Sequence, residues 1–156
     1  RIGSKKIDVY DVDGHTVGHI AYALVDDNAI FTGDSLMVMG CGRLFEGTPE
    51  DMYKSLKKLK QLPEDFMIYS GHEYTRSNIE FAITVDPKNK KLEARKVKEL
   101  DRIAKGTPTV PSSLREELDT NPFLRESDPS IVDHLDIANL DPISRFAKIR
   151  ALKDSF

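Results

Sequence analysis

Cysteine is nearly missing from this chain. Cys41 is the only one in 156 residues, which excludes an internal disulfide and any zinc cluster built from several thiolates. Such usage fits a reducing compartment, the cytoplasm or the mitochondrial interior. Long apolar runs are missing too. None approaches the ~18–20 residues of a membrane-spanning helix. The opening Arg1-Ile2-Gly3-Ser4-Lys5-Lys6 has neither the apolar stretch of a secretory signal nor a Met, so a piece of a longer protein or a processed product is expected. No excess of one charge stands out. Twenty-three basic against 26 acidic residues leave a net charge of −3 and a pI near 5.8, which argues against nucleic acid as a partner. Internal repeats and low-complexity tracts are absent. What remains is 39% hydrophobic and 31% charged, the balance of a globular chain. Its length suits one domain or two small ones and is enough to bury a core.

The first half reads as strands. Ile7, Val9, Tyr10 and Val12 form a β-rich run that stops at Asp13-Gly14. A second run, Ile20 to Val25, closes at the turn Asp26-Asp27-Asn28, and a third, Ala29 to Thr32, ends at Gly33. A helix is predicted from Pro49 to about Leu62, with Thr48 as N-cap, Glu50 and Asp51 at the positive dipole end, and Met52, Leu56 and Leu59 as its buried stripe. Phe66 to Tyr69 is a fourth strand, ending at Gly71. A helix between strands predicts an α/β layer arrangement.

The character changes after Tyr74, so residues 1–74 and 75–156 are expected to form an α/β part and a helical part. Ile79, Ala82 and Ile83 have helical spacing, which Pro87 stops. Lys88 to Lys105 reads as a charged helix with eight basic and three acidic residues. Leu92, Val97, Leu100 and Ala104 are expected inward and the charges outward, as a solvated face. Thr107 to Pro111 reads as a linker, Ser113 with Glu116 as a capping box, and Asp141-Pro142 as the start of a terminal helix.

One constellation carries chemistry. Three strand-like runs each end in glycine followed by a metal-competent side chain: Gly14-His15, Gly33-Asp34 and Gly71-His72. Glycine permits a sharp turn and close backbone approach, and functional groups of α/β folds gather at the carboxyl ends of strands. Two imidazoles and a carboxylate converging there suit zinc or iron. Such pairs also arise by chance at turns, so the pattern alone leaves both readings open. His19 lies four residues after His15, a chelating spacing on a helix, but two glycines argue against a helix there. A histidine hydrogen-bonded to backbone in a tight loop is the expectation for it. His134 reads as a surface residue. Cys41, in Gly40-Cys41-Gly42, has no base paired with it in sequence and is expected to be a packed loop residue rather than a nucleophile.

Gly14-His15-Thr16-Val17-Gly18-His19, Phe31-Thr32-Gly33-Asp34-Ser35-Leu36 running on to Gly40-Cys41-Gly42-Arg43, and Gly71-His72-Glu73-Tyr74-Thr75 closely resemble the metallo-β-lactamase superfamily, and within it the glyoxalase II (hydroxyacylglutathione hydrolase) family. The resemblance continues through Val110-Pro111-Ser112-Ser113, Asn121-Pro122-Phe123-Leu124-Arg125 and Arg150-Ala151-Leu152-Lys153-Asp154. It implies the C-terminal half of an αββα sandwich followed by a small all-helical, glutathione-binding domain. It further implies that His15 binds a first metal, that Asp34 bridges two metals and acts in catalysis, and that His72 binds the second. Arg43, Tyr74, Arg150 and Lys153 would contact glutathione. Phe45 stands where family members often carry a glutathione-touching tyrosine. The superfamily's His-x-His-x-Asp-His motif is not found in this chain.

The implied parent activity is hydrolysis of S-D-lactoylglutathione to D-lactate and glutathione, with two divalent ions (zinc, with iron or manganese as alternatives) in the complete enzyme and at most one weak site here. The small-molecule thioester would be the partner, with no membrane involved, a monomeric complete enzyme and self-association open for this chain. Two rival readings stand beside it. One is an iron persulfide dioxygenase of the same fold. The other is a non-catalytic fragment or glutathione-side binding module.

Overall fold

A computed structural model describes residues 1–156. Four strands and a short fifth form one sheet: β1 (Asp8–Asp11), β2 (Ile20–Leu24), β3 (Ala29–Gly33), β6 (Met67–Ser70) and β7 (Ser112–Ser113), in the order β1-β2-β3-β6-β7. Between β3 and β6 lies a small hairpin of β4 (Leu36–Met37) and β5 (Gly40–Cys41). β1 is antiparallel to β2 and β2 to β3, while β3 and β6 are parallel. β1, β3 and β6 therefore run the same way, and their carboxyl ends share one edge. The β7 pairing with β6 was hidden in sequence, because two serines carry no strand pattern.

There are six helices, α1 (Pro49–Leu59), α2 (Thr75–Val85), α3 (Lys90–Ala104), α4 (Leu114–Thr120), α5 (Pro129–Leu135) and α6 (Pro142–Asp154), and all but α5 follow the expected punctuation. At α1, Thr48 and Asp51 form a reciprocal capping box with Pro49 in the first turn. α1 ends at Leu59, three residues short of the expected Leu62. Ser113 caps α4 by accepting from the Glu116 N–H at 3.2 Å.

Alternation along the strands sends Ala21, Ala23, Ile30 and Ile68 into the main core, against Met52, Leu56 and Leu59 of α1 and Phe146 and Ile149 of α6. That core also takes in Phe81, Leu114, Phe123 and Ile131, so the strands and the helical half share it. The opposite sheet face is open. Val9, Tyr22 and Phe31 are exposed on adjacent strands in direct register, and Phe31 stacks on Tyr69 at 5.0 Å.

α3 departs from expectation. Val97 is 64% exposed and Ala104 is exposed as well. Leu92 and, in part, Leu100 turn inward as expected, but Arg95 and Glu99 share that inner face, only 4% and 1% exposed. Spacings of three and four place these residues on one face. Burial of the charges is tolerated because Arg95 Nη2 meets Glu117 Oε2 at 2.7 Å, while Lys98 and Arg102 flank Glu99 at 3.5 and 3.4 Å.

Candidate functional site

Asp34 leaves β3 and His72 follows β6, at neighbouring parallel strand ends. The chain turns there through Gly71, whose N–H donates to Gly33 O at 2.7 Å. A Cβ on Gly71 would come within 2.8 Å of Asp34 Oδ1, and one on Gly42 within 2.0 Å of Asp34 O. Side chains at either position would displace the carboxylate or its backbone. His15 sits in the loop after β1, which closes where the Val12 N–H donates to His19 O at 2.8 Å.

The three side chains converge. His15 Nε2 lies 3.4 Å from Asp34 Oδ2, and His72 Nε2 lies 3.3 Å from Asp34 Oδ1. His15 Nδ1 is 2.7 Å from the carbonyl of Arg43. A carbonyl only accepts, so Nδ1 donates to it, and the ring is held with Nε2 turned toward the carboxylate. His72 stacks face to face on Tyr74, with centroids 4.8 Å apart and planes 5° apart. His19 is the residue of the tight loop that sequence suggested. Its Nε2 accepts the Asp34 N–H at 3.1 Å, and its Nδ1 lies 3.1 Å from Thr16 Oγ1. It thereby fixes the backbone from which the carboxylate projects.

Asp34 Oδ1 is buried without a hydrogen-bond partner. A buried carboxylate oxygen with only the His72 ring nitrogen near it, and His15 beside the other oxygen, lacks a positive partner. The donor set fits a divalent metal: ligand bonds of about 2.0–2.2 Å in near-tetrahedral geometry put ligand atoms roughly 3.3–3.6 Å apart, close to the spacing seen here. The approaches are pairwise through Asp34, however, and no three His, Cys, Asp or Glu side chains close into a cage.

His15, Asp34, Arg43, His72, Tyr74, Arg150 and Lys153 all line one cavity of about 410 Å³, with Met37, Ser77 and Asn78 among its other walls. A second cavity of about 420 Å³, beside Glu73, Arg76 and Ile103, has no converging donors. Arg43 is exposed, 3.7 Å from Asp154. Phe45 is exposed and lies 5.0 Å from the His15 ring. Lys153 Nζ donates to Ser77 Oγ at 2.9 Å and lies over the rings of Phe81 and Phe156. Partial burial, with Arg150 and Arg43 nearby, holds its ammonium below the usual lysine range.

Arg150, expected to contact glutathione, lies at the inner wall of this cavity. It is 5% exposed, and it donates to Cys41 O at 2.8 Å and to Asp154 Oδ1 at 2.9 and 3.1 Å, over the ring of Phe123 at 5.0 Å. Its neighbour on the face, Lys153, is three residues on, where α6 rises out of the core. Cys41 is buried, and burial pushes its thiol up to about 11 against the opposing Arg150 charge, which leaves it no nucleophile. His134 is exposed, with Nε2 2.9 Å from Thr84 O.

Ser77 and Asn78 were not singled out from sequence, although one turn of α2 from Tyr74 places them against the cavity. Residues 2–72 match the family model described as metallo-beta-lactamase superfamily, and residues 73–156 that described as hydroxyacylglutathione hydrolase C-terminus. Over 156 residues the chain is 54% identical to a hydroxyacylglutathione hydrolase of Jannaschia sp. (strain CCS1), covering 100% of this chain and 61% of that protein. It is 54% identical to one of Ruegeria pomeroyi, covering 99% and 61%. The crystal structure of ETHE1 from Myxococcus xanthus matches with a TM-score of 0.55 at 26% identity, over 99% of this chain and 56% of that one. The chain thus spans about three fifths of the length of these curated relatives, 61% in each case. With more than half of its residues matched by the one model, it belongs to the hydroxyacylglutathione hydrolase C-terminus family.

Proposed function

We propose that this chain contributes to a metal-dependent thioester hydrolase that splits S-D-lactoylglutathione with water into D-lactate and glutathione. The observation that carries this is Asp34, whose carboxylate lies between two imidazoles with one oxygen unpartnered, at the foot of a cavity lined by cations. The relatives' printed name supports the substrate class.

In this reading Asp34, His15 and His72 would hold the metal, Asp34 through its carboxylate and the histidines through a ring nitrogen each. Zinc is the first choice, with iron or manganese as alternatives. A divalent metal bound there in the complete enzyme would supply an acidified water and charge stabilisation for the thioester carbonyl oxygen. The chain's own residues do the rest. Arg43 and Lys153 orient the glutathione carboxylates by charge-assisted hydrogen bonds. Tyr74 holds the plane of His72. The leaving thiolate needs no strong acid, and none stands at the site. These three donors support at most one weak metal site, and a monomeric complete enzyme in the cytoplasm is part of the same reading.

Zinc titration by calorimetry, paired with a thioester assay on this chain and on its Asp34→Asn variant, tests the proposal. Weak zinc binding abolished by the substitution, with turnover far below that of a longer relative, is expected. Zinc binding unaffected by Asp34→Asn would overturn the metal reading, and turnover equal to a longer relative's would overturn the account of an incomplete donor set. A second reading, a glutathione-side binding module without catalysis, draws on the absence of a closed cage. Glutathione binding in the presence of a chelator, with no turnover under any metal, would favour it.

A further inference from the structure

The hairpin of β4 and β5 has an unusual tip. Met39 has φ +54°, a left-handed conformation that side chains with a Cβ rarely adopt, and at which hairpins normally place Gly or Asn. Its side chain is fully buried beside Val38, Ile79, Ala82 and Leu92. Backbone held in such a region needs surroundings that fix it.

Those surroundings are polar and come from the helical half. The Met39 N–H donates to Glu117 Oε1 at 2.7 Å. Asn121 Nδ2 donates to Gly40 O at 3.0 Å, to Met37 O at 3.3 Å and to Glu117 Oε1 at 3.1 Å. Asn78 Nδ2 donates to Val38 O at 3.0 Å. Glu117 is 0% exposed. Its other oxygen, Oε2, accepts from Arg95 Nη2 and from Ser112 Oγ. Arg95 in turn donates to Thr120 Oγ1 and Ser112 Oγ, each at 2.7 Å.

What this clamp holds is adjacent to the site. The returning strand brings the Gly42 N–H to Ser35 O at 3.2 Å and the Arg43 carbonyl to His15 Nδ1. That carbonyl selects the His15 tautomer whose Nε2 faces Asp34.

We propose that Glu117 and Asn121 are positioning residues, which lock the strained tip of the β4–β5 hairpin so that the Arg43 carbonyl orients the His15 ring for its partner Asp34. The charged stripe of α3 thereby has a use: Arg95 compensates the buried Glu117. The inference deepens the hydrolase reading and depends on it for any catalytic consequence, but the geometry it describes is measurable without turnover.

The test compares two double variants of the whole chain. Both Arg95→Met/Glu117→Leu and Arg95→Met/Glu117→Gln remove the buried Arg95–Glu117 pair, and in both Glu99 keeps Lys98 and Arg102. Only the second keeps a side-chain oxygen for the Met39 N–H. Hydrogen exchange at the Met39 amide and ¹⁵N shifts of the neutral His15 ring are the readouts, with the melting temperature as a control. In the Leu variant, Met39 exchange at least about tenfold faster and loss of the Nδ1–H preference at His15 are expected, against near-parental values in the Gln variant. Unchanged Met39 protection and His15 tautomer in the Leu variant would overturn the proposal, as would equal loss in both. If the Leu variant does not fold, Asn121→Ala decides: it leaves the Arg95–Glu117 pair intact and removes the bonds to Met37 O and Gly40 O. A His15 tautomer unchanged by it overturns the proposal, and a loosened one supports it. Failure of the thioester assay alone would leave these readouts standing and count against the hydrolase reading instead.

Discussion

α1 and α3 are both amphipathic helices of similar length, and they bury opposite kinds of chemistry. α1 presents Met52, Leu56 and Leu59 inward, with Ser55 between them. α3 presents Leu92, Arg95 and Glu99. The inner face of α1 is held by apolar area removed from water, and its hydrophobic period reports that directly. The inner face of α3 is held by matched charges, with Glu117 of α4 across from it. Hydrophobic patterning cannot report such a face, because the residues that are in look like residues that should be out. An ion pair needs its partner to be tolerated inside, so the two helices should fail differently when cut.

The largest effect is expected at Arg95→Ala. Removing the guanidinium strands Glu117 in the interior, while Glu99 keeps Lys98 and Arg102, and losing one partner of a buried pair costs about 3–5 kcal/mol. Denaturant unfolding would read it, and a loss below about 1 kcal/mol would mean that water reaches the pair. Leu56→Ala follows, at about 2–5 kcal/mol for a cavity beneath the sheet. Replacing both charges, as in Arg95→Met/Glu117→Leu, should recover much of the Arg95→Ala loss, since a buried pair exchanged for apolar side chains is often near neutral. No equivalent rescue exists for α1. A double variant no more stable than Arg95→Ala would erase the contrast between the helices.

α6 repeats the contrast within four residues. Arg150 is spent on Cys41 O and Asp154, while Lys153 stays at the cavity wall with only Ser77 as a hydrogen-bonded partner. In a complete hydrolase, Lys153→Ala should raise KM by roughly tenfold to a hundredfold and largely spare kcat, as a charge-assisted contact of about 1.5–3 kcal/mol made equally in ground and transition states requires. Arg150→Ala should instead lower the melting temperature. Equal KM effects with unchanged stability would return both to a common role. A smaller loss, about 1 kcal/mol, is expected for Thr48→Ala, which removes the capping box at the exposed start of α1. Thermal melts would read it.

These cases also mark what a reader of the sequence could see. The glycine exits before His15, Asp34 and His72 were visible, because a sharp turn after a β-rich run leaves a local signature. Their meeting at one edge followed from strand direction. The caps of α1 and α4 were visible for the same reason. The Met39 conformation was not, since nothing in Val38-Met39 announces a left-handed tip. Nor were the pairing of β7 or the inward turn of Arg95 and Glu99. Each depends on a partner 40 or more positions away along the fold or on a charge that only the packed neighbour neutralises. Arg150 shows the same limit: besides Asp154 on its own helix, its partners are Cys41 and Phe123, distant in sequence.

The smallest effect sharpens the comparison from the other side. Val97 would count as core in any hydrophobic reading of α3, yet it is 64% exposed. Truncating it removes little buried area, and alanine is the better helix former by a few tenths of a kcal/mol. Val97→Ala should therefore leave stability within about 0.5 kcal/mol of the parent, against the several lost at Arg95 two positions away. Urea denaturation of the two variants side by side measures this directly. If Val97→Ala cost more than about 1 kcal/mol while Arg95→Ala cost less, the inward stripe of α3 would be the apolar one that its sequence suggests, and the charged clamp beneath the β4–β5 hairpin would lose its foundation.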